Sequence, residues 1–175
     1  TGTPVCMRWV HIHIEGLVQG VGFRPFVFKL ATELNLKGWV CNGVDGVHIE
    51  AGGYEEHLGI FINQLREEAP EESFITNFSV EEINEIKAND FQIVESNPLG
   101  TPNLLITPDL GLCDACRDDI AASTNKRYQY PFTTCTHCGP RYSILKSLPY
   151  DRHTTSMDVF EMCPECENEY HDPHN

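Results

Sequence analysis

The sequence is poor in positive charge and contains no long apolar run. Its 175 residues include 12 Lys+Arg against 26 Asp+Glu, a formal net charge of −14. Such a balance repels phosphate backbones and anionic lipid headgroups, so neither nucleic acid nor a membrane is an expected partner. No apolar run approaches the ~18 residues that would span a bilayer. With 41% hydrophobic and 22% charged residues, the composition also excludes collagen-like, low-complexity and wholly disordered classes.

Cysteine, in contrast, is abundant, with eight residues in the chain. Six of them form three Cys-x-x-Cys pairs: Cys113 and Cys116, Cys135 and Cys138, Cys163 and Cys166. Two thiolates at this spacing face one tetrahedral Zn²⁺, and a second pair completes its four ligands. The start of the sequence has no secretory signal pattern. We therefore predict a Zn²⁺-binding protein of the reducing cytoplasm and not a disulfide framework.

The sequence leaves the grouping of the pairs open. Sequential grouping places the first two pairs around one ion, whereas an interleaved arrangement joins the first and third pairs. We adopt sequential grouping as the working hypothesis, which leaves the third pair two ligands short. Either His171 and His174 complete that site, or the chain is truncated and the missing ligands lie beyond residue 175, which is the expectation we adopt.

The pattern changes along the chain and predicts two domains. Residues 1–95 alternate strand-like and helix-like periodicities, residues 96–112 form a linker rich in proline and glycine, and residues 113–175 form the zinc-finger region. The first domain has the order βαββαβ, which predicts an α+β, ferredoxin-like sandwich with two helices on one face of an antiparallel sheet. The polar strand positions assigned to the solvent face include three histidines: His11, His13 and His48.

A glycine-rich loop between the first strand and the first helix is the candidate anion site. Its backbone amides, together with the positive end of the helix dipole, suit a phosphate group. Arg24 ends the loop with a planar guanidinium that can hold two phosphate oxygens. The residues predicted to surround the phosphate are Gln19, Gly20, Val21, Gly22, Phe23 and Arg24.

Two motifs in this half resemble the signatures of the acylphosphatase family. They are residues 16–24 (GLVQGVGFR) and residues 38–46 (GWVCNGVDG). The resemblance implies the sandwich fold and hydrolysis of acyl phosphates, with Arg24 binding the phosphate and Asn42 orienting the attacking water. Cys41 and a hairpin shorter by one residue depart from the family pattern. A module that binds phosphate or carbamoyl phosphate without hydrolysing it is therefore the alternative.

The whole pattern resembles the HypF family, the carbamoyltransferases that mature nickel-iron hydrogenases. The resemblance extends to residues 103–109 (NLLITPD), 130–142 (YPFTTCTHCGPRY) and 149–152 (PYDR) of the zinc-finger half. It implies an N-terminal fragment that hydrolyses carbamoyl phosphate, the first step in making the cyanide ligand. It also implies a HypE-type partner, reached through the full-length protein. A zinc ribbon for nucleic acid is the third hypothesis, which the acidic charge disfavours.

Overall fold

The part of the first half that the structure describes folds as a five-stranded sheet with two helices. The computed structural model describes residues 7–97, 101–106, 108–135, 137–139 and 141–172. The strands are β1 (Met7–Leu17), β2 (Lys37–Gly43), β3 (Gly46–Tyr54), β4 (Phe74–Ile83) and β5 (Phe91–Ile93). The helices are α1 (Phe23–Glu33) and α2 (Glu55–Glu67).

The strands lie in the order β4-β1-β3-β2-β5. β1 pairs antiparallel with β3 and β4, and β2 pairs antiparallel with β3. The α+β sandwich inferred from the periodicities is confirmed, with one correction to the sheet. The short strand β5 pairs parallel to β2, so the sheet is mixed and not wholly antiparallel. Because β5 extends the edge beyond β2, it could not be placed from the local pattern of its three residues.

One face of the sheet and the two helices enclose the core. Along β1 the alternate residues Val10, Ile12 and Ile14 are buried, as the period of two predicts. Phe61 of α2 packs against Phe91 of β5 with ring centroids 6.4 Å apart and is fully buried. The core therefore lies between the sheet and helices, and it fixes the ends of β1 and β2 relative to the start of α1.

The strand histidines are less exposed than their assignment to the solvent face implies. His11, His13 and His48 lie on the sheet face opposite the helices, as the pattern predicted, but their side chains are only 28%, 20% and 22% exposed. They are half-buried because they pack against one another and against the side chain of Asp45 in the β2–β3 turn.

The second half holds little regular structure. Its described residues contain the helices α3 (Asp114–Ala121) and α4 (Pro164–His171), and three short 3₁₀ helices: Tyr142–Ile144, Arg152–Thr154 and Ser156–Val159. Within the described residues, no helix combines the length and the apolar character needed to cross a membrane. The boundaries of the two domains and of the linker stay predictions. Asn97 and Asn103 of the predicted linker donate backbone hydrogen bonds to the carbonyls of Asn42 and Val44. Both residues therefore lie alongside the β2–β3 hairpin.

Candidate active site and cysteine cluster

The predicted phosphate loop leads directly into α1. Gly22 precedes the helix with φ 75°, in the left-handed region that glycine adopts without strain. Its carbonyl accepts from the amide of Phe26 at 3.0 Å, which forms the first helical turn. Val21 and Phe23 are buried in the core and hold the loop in place. The loop thus lies at the positive end of the α1 dipole, where an anion is stabilised.

Arg24 and Asn42, the two predicted catalytic residues, meet at this point. Arg24 belongs to the first turn of α1, and Asn42 lies fully buried near the end of β2. With its amide oxygen toward Arg24, Asn42 accepts from Nε at 3.2 Å and from Nη2 at 3.3 Å. We adopt this orientation because a guanidinium only donates, so an amide oxygen is the group that can face it.

Gln19 links the loop to the hairpin that carries Asn42. Its side-chain Nε2 donates to the carbonyls of Gly43 at 2.6 Å and Gly46 at 3.0 Å. Its Oε1 accepts from the backbone amide of Tyr150 at 3.1 Å. The Gln19 side chain therefore fixes the loop against the β2–β3 turn.

A segment of the second half, residues 149–154, covers this site. Asp151 places its carboxylate 2.9 Å from Nη2 of Arg24, and both side chains are largely shielded from solvent. Ser96 Oγ accepts from Nη1 of Arg24 at 3.5 Å. Together with Asn42, these contacts engage both terminal nitrogens and Nε of the guanidinium. An oxyanion of the chain itself thus lies where the predicted phosphate contact with Arg24 would form.

Local hydrogen bonds hold the 149–154 segment in shape. Thr154 Oγ1 donates to the carbonyl of Pro149 at 2.7 Å and accepts from the amide of Asp151 at 3.0 Å. The Asp151 side chain also accepts from the backbone amide of Thr154, closing a capping box over the 3₁₀ turn. The carboxylate is therefore presented to Arg24 by a folded turn.

Sequence reasoning missed the roles of Tyr150 and Asp151. Residues 149–152 entered it only as part of a family resemblance. The separation of Arg24 and Asp151 by 127 positions leaves no local signal for their contact. A shielded charge requires a partner, but the sequence shows neither that Arg24 is shielded nor which acid supplies its partner.

The first two cysteine pairs converge in the second half. Cys113 precedes α3 and Cys116 lies in its first turn, while Cys135 and Cys138 flank a tight turn. The Sγ atoms lie 3.5 Å (Cys113–Cys135), 3.8 Å (Cys135–Cys138) and 3.9 Å (Cys116–Cys138) apart. A regular tetrahedron of 2.3 Å zinc–sulfur bonds has edges of about 3.8 Å, so the four thiols fit Zn²⁺ in the sequential grouping.

Hydrogen bonds to sulfur prepare this cluster for a cation. Burial opposes ionisation of Cys138, but hydrogen bonds from Thr134 and from backbone amides outweigh it and lower the pKa of its thiol to about 6. Burial raises the pKa of Cys116 and Cys135, so these thiols keep their protons until a metal replaces them.

The third pair is not completed by the described residues. Cys163 precedes α4 and Cys166 lies in its first turn, the same arrangement as in the first pair. Among the residues that the structure describes, His171 does not come within ligand distance of both sulfurs, and His174 lies outside the described residues. The ligands that would complete this pair stay a prediction.

Comparison with known proteins shows the family to which the chain belongs. The acylphosphatase family model matches residues 10–93, and the HypF finger model matches residues 112–145. An acylphosphatase of Thermotoga petrophila is 43% identical over 88 residues, which cover 50% of this chain and 97% of that protein. The chain belongs to the acylphosphatase family. Its acylphosphatase domain is followed by a HypF finger, as in the N-terminal region of HypF proteins.

Longer relatives carry both parts. Carbamoyltransferase HypF of Rhodobacter capsulatus is 44% identical over 171 residues, which cover 95% of this chain and 22% of that protein. A full-length HypF crystal structure in the phosphate- and nucleotide-bound form is 44% identical, with a TM-score of 0.91, and the match covers 100% of this chain and 23% of that one. The chain thus spans about a fifth of the length of these HypF proteins.

Proposed function

We propose that this chain hydrolyses carbamoyl phosphate to carbamate and phosphate at Arg24 and Asn42, as the first step of carbamoyl transfer in nickel-iron hydrogenase maturation. The observation that carries the proposal is the buried contact of Arg24 with Asn42, at the start of α1, with a carboxylate already bound to the same guanidinium. The acylphosphatase family and the carbamoyltransferase relatives support this choice of substrate.

The reaction requires little more than positioning and charge neutralisation. The loop amides and Arg24 bind the phosphoryl oxygens, and the amide of Asn42 holds a water in line with the bond to be broken. The water oxygen bonds to phosphorus as the bond from phosphorus to the bridging oxygen breaks. Carbamate leaves with that oxygen, and the proton released from water passes to the products. Since the leaving group is a stabilised anion, no strong base is needed.

Binding of substrate requires displacement of Asp151. The carboxylate and a phosphoryl group compete for the same Nη2 donor of Arg24, and two anions beside each other repel. The 149–154 segment therefore withdraws from Arg24 when the site fills. We further propose that, in a full-length protein, the carbamate passes to further domains and a HypE-type partner receives the carbamoyl group.

The finger region serves as a scaffold in this proposal. Cys113, Cys116, Cys135 and Cys138 would hold Zn²⁺ with no open position for substrate, because all four ligands would come from the protein. Its chemistry is to fold a segment with little apolar core. The predicted location of the protein is the cytoplasm, where cysteine thiols remain reduced; this remains a prediction.

Phosphate release from carbamoyl phosphate tests the activity. We expect Arg24→Ala to lower the rate about 10² to 10³-fold, the usual cost of losing one charge-stabilising donor. The matched control is Arg8→Ala, because Arg8 lies near the other end of β1, ~30 Å from the loop at ~3.3 Å per residue, and pairs with Glu55 and Glu82 at the surface. Equal rates for Arg24→Ala and the wild type would exclude the proposed site.

One observation favours a second candidate, a module that binds phosphate or carbamoyl phosphate without turnover. All three nitrogens of the Arg24 guanidinium already contact protein atoms within the described residues. Calorimetry distinguishes the two functions, since phosphate affinity lost in Arg24→Ala, with no hydrolysis in the wild type, identifies the binding module.

A further inference from the structure

A cluster of imidazole and carboxylate groups lies on the open face of the sheet, on the opposite side from the helices. His13 on β1 and His48 on β3 are direct cross-strand partners, and Asp45 lies in the turn that leads into β3. One ligand atom from each of these three residues lies within 4.8 Å of the other two. The acylphosphatase chemistry proposed above uses none of them.

The donor atoms converge on one point. His48 Nε2 lies 2.9 Å from Oδ1 of Asp45, and His13 Nε2 lies 3.6 Å from Oδ2 of the same carboxylate. The two imidazole rings stack with centroids 4.3 Å apart and an angle of 7° between their planes. Both Nε2 atoms lie beside the same carboxylate, so the three side chains bring two nitrogens and an oxygen close to one another.

Outer groups orient His48 for metal binding. His48 Nδ1 lies 3.3 Å from Nε2 of His11, and His11 Nδ1 lies 3.6 Å from Oε1 of Glu50. If Nδ1 of each ring donates along this chain toward Glu50, the Nε2 lone pair of His48 points to the centre. A metal-bound histidine characteristically donates its other ring proton to such a partner.

The charges of the cluster favour a divalent cation over two protons. Protonating both stacked rings would place two like charges 4.3 Å apart, which is unfavourable.

We propose that His13, Asp45 and His48 form a second metal site, specific for a divalent transition ion of the Zn²⁺ or Ni²⁺ type. Two imidazoles and one carboxylate select such ions over Mg²⁺ and Ca²⁺, which prefer oxygen ligands. Three protein ligands leave the remaining positions to water. The ion joins β1, β3 and the β2–β3 turn, and thereby steadies the hairpin that carries Asn42.

Nickel titration of the zinc-loaded chain, followed by calorimetry, tests this site. The background carries Cys163→Ser and Cys166→Ser, so that the third cysteine pair cannot bind the probe. We expect one Ni²⁺ to bind and Asp45→Asn to weaken it more than a hundredfold. Asparagine retains the turn-forming character of Asp45, so the hairpin is preserved. His11→Gln removes only an outer group and should weaken binding about 10 to 100-fold.

The matched control is His57→Asn, because His57 lies on α2, away from the cluster, and should leave Ni²⁺ affinity unchanged. Equal affinity in Asp45→Asn, His57→Asn and the parent would overturn the site, as would equally tight binding of Mg²⁺. Should a variant fail to fold, histidine ring spectra of the parent decide. Ni²⁺ must perturb the nitrogens of His13 and His48 before those of His57 and His153, and the reverse order refutes the proposal.

Discussion

The side-chain amide of Asn42 serves both the stability of the fold around Arg24 and the proposed binding of an anion. Asn42 is fully buried, and its oxygen accepts two hydrogen bonds from Arg24. An apolar side chain there would leave the shielded guanidinium short of acceptors, which is costly. A carboxylate would satisfy the guanidinium but repel the anion that the site is proposed to bind. Only a neutral acceptor serves both purposes.

Asn42→Asp separates these two demands. The variant keeps the volume and the contact with Arg24, so we expect it to fold normally. Its added negative charge should repel the phosphoryl group and lower kcat about a hundredfold, a typical cost of a misplaced catalytic contact. Phosphate release and phosphate calorimetry measure the effect, with circular dichroism as the folding control. A variant that turns over at the wild-type rate would show that Asn42 does not position the water.

Among the elements, the 149–154 segment is the one that brings a carboxylate of the second half onto Arg24. It is folded by its own capping box and places the Asp151 carboxylate on Arg24. An Arg–carboxylate contact shielded from solvent is stronger than a surface pair, because it is less screened. Phosphate bound at Arg24 would therefore have to displace Asp151, and the free energy of that displacement lowers the phosphate affinity.

Asp151→Asn should lower the free energy needed to displace residue 151 from Arg24. Asparagine caps a helical turn as well as aspartate does, so the turn persists while the charge is lost. We expect phosphate affinity to rise about tenfold, which corresponds to ~1.4 kcal/mol and lies within the range for the net contribution of one hydrogen bond. Asp158→Asn is the control, because Asp158 is an exposed acid just beyond the segment. Unchanged affinity in Asp151→Asn would mean that Asp151 does not compete with phosphate.

Two glycines illustrate how strand and helix respond differently to the same substitution. Gly38 in β2 has φ +139°, and a Cβ there would lie 1.9 Å from the carbonyl oxygen of Glu50. Gly59 in α2 would place its Cβ in open space. We expect Gly38→Ala to destabilise the fold by at least ~1–3 kcal/mol and Gly59→Ala to stabilise it by roughly 0.5–1 kcal/mol. Urea denaturation measures both, and a stabilised Gly38→Ala would contradict the strand geometry.

Across the whole molecule, the cysteine cluster and the proposed active site are joined through one surface. Gly139, which follows Cys138, approaches the phosphate loop so closely that a Cβ there would lie 3.1 Å from the carbonyl oxygen of Gly20. The guanidinium of Arg141 donates to the carbonyl of Leu110 at 2.8 Å, and its Nη2 lies 4.0 Å from the Cys138 sulfur. The finger therefore contacts the phosphate loop at Gly139, next to the zinc-ligand candidate Cys138.

This arrangement predicts that metal binding in the finger affects phosphate binding in the other domain. Cys116→Ser combined with Cys138→Ser removes two zinc ligands, and we expect the finger to loosen because metal binding drives its folding. Asp151 should then release Arg24, and phosphate affinity should rise toward that of Asp151→Asn. Adding Asp151→Asn to the cysteine variant should bring little further gain. Calorimetry with phosphate measures this, and fully additive gains would refute the coupling.

The sequence by itself determined the local parts of this protein. The period of two in β1 and the spacing of three and four in α1 follow from which side chains must leave water, so the sandwich could be inferred from them. The Cys-x-x-Cys pairs and the loop before Arg24 are likewise readable, because their chemistry depends on residues close together in the chain.

The tertiary structure alone decided which distant groups meet. No local pattern relates the residues that meet in the parallel pairing of β5, in the approach of His13 to Asp45 and His48, or in the contact of Asp151 with Arg24. Such contacts arise from packing, since burying one apolar face of each element also determines which polar groups are brought together elsewhere. A periodicity shows which face of an element is buried, but it does not show what lies against the other face.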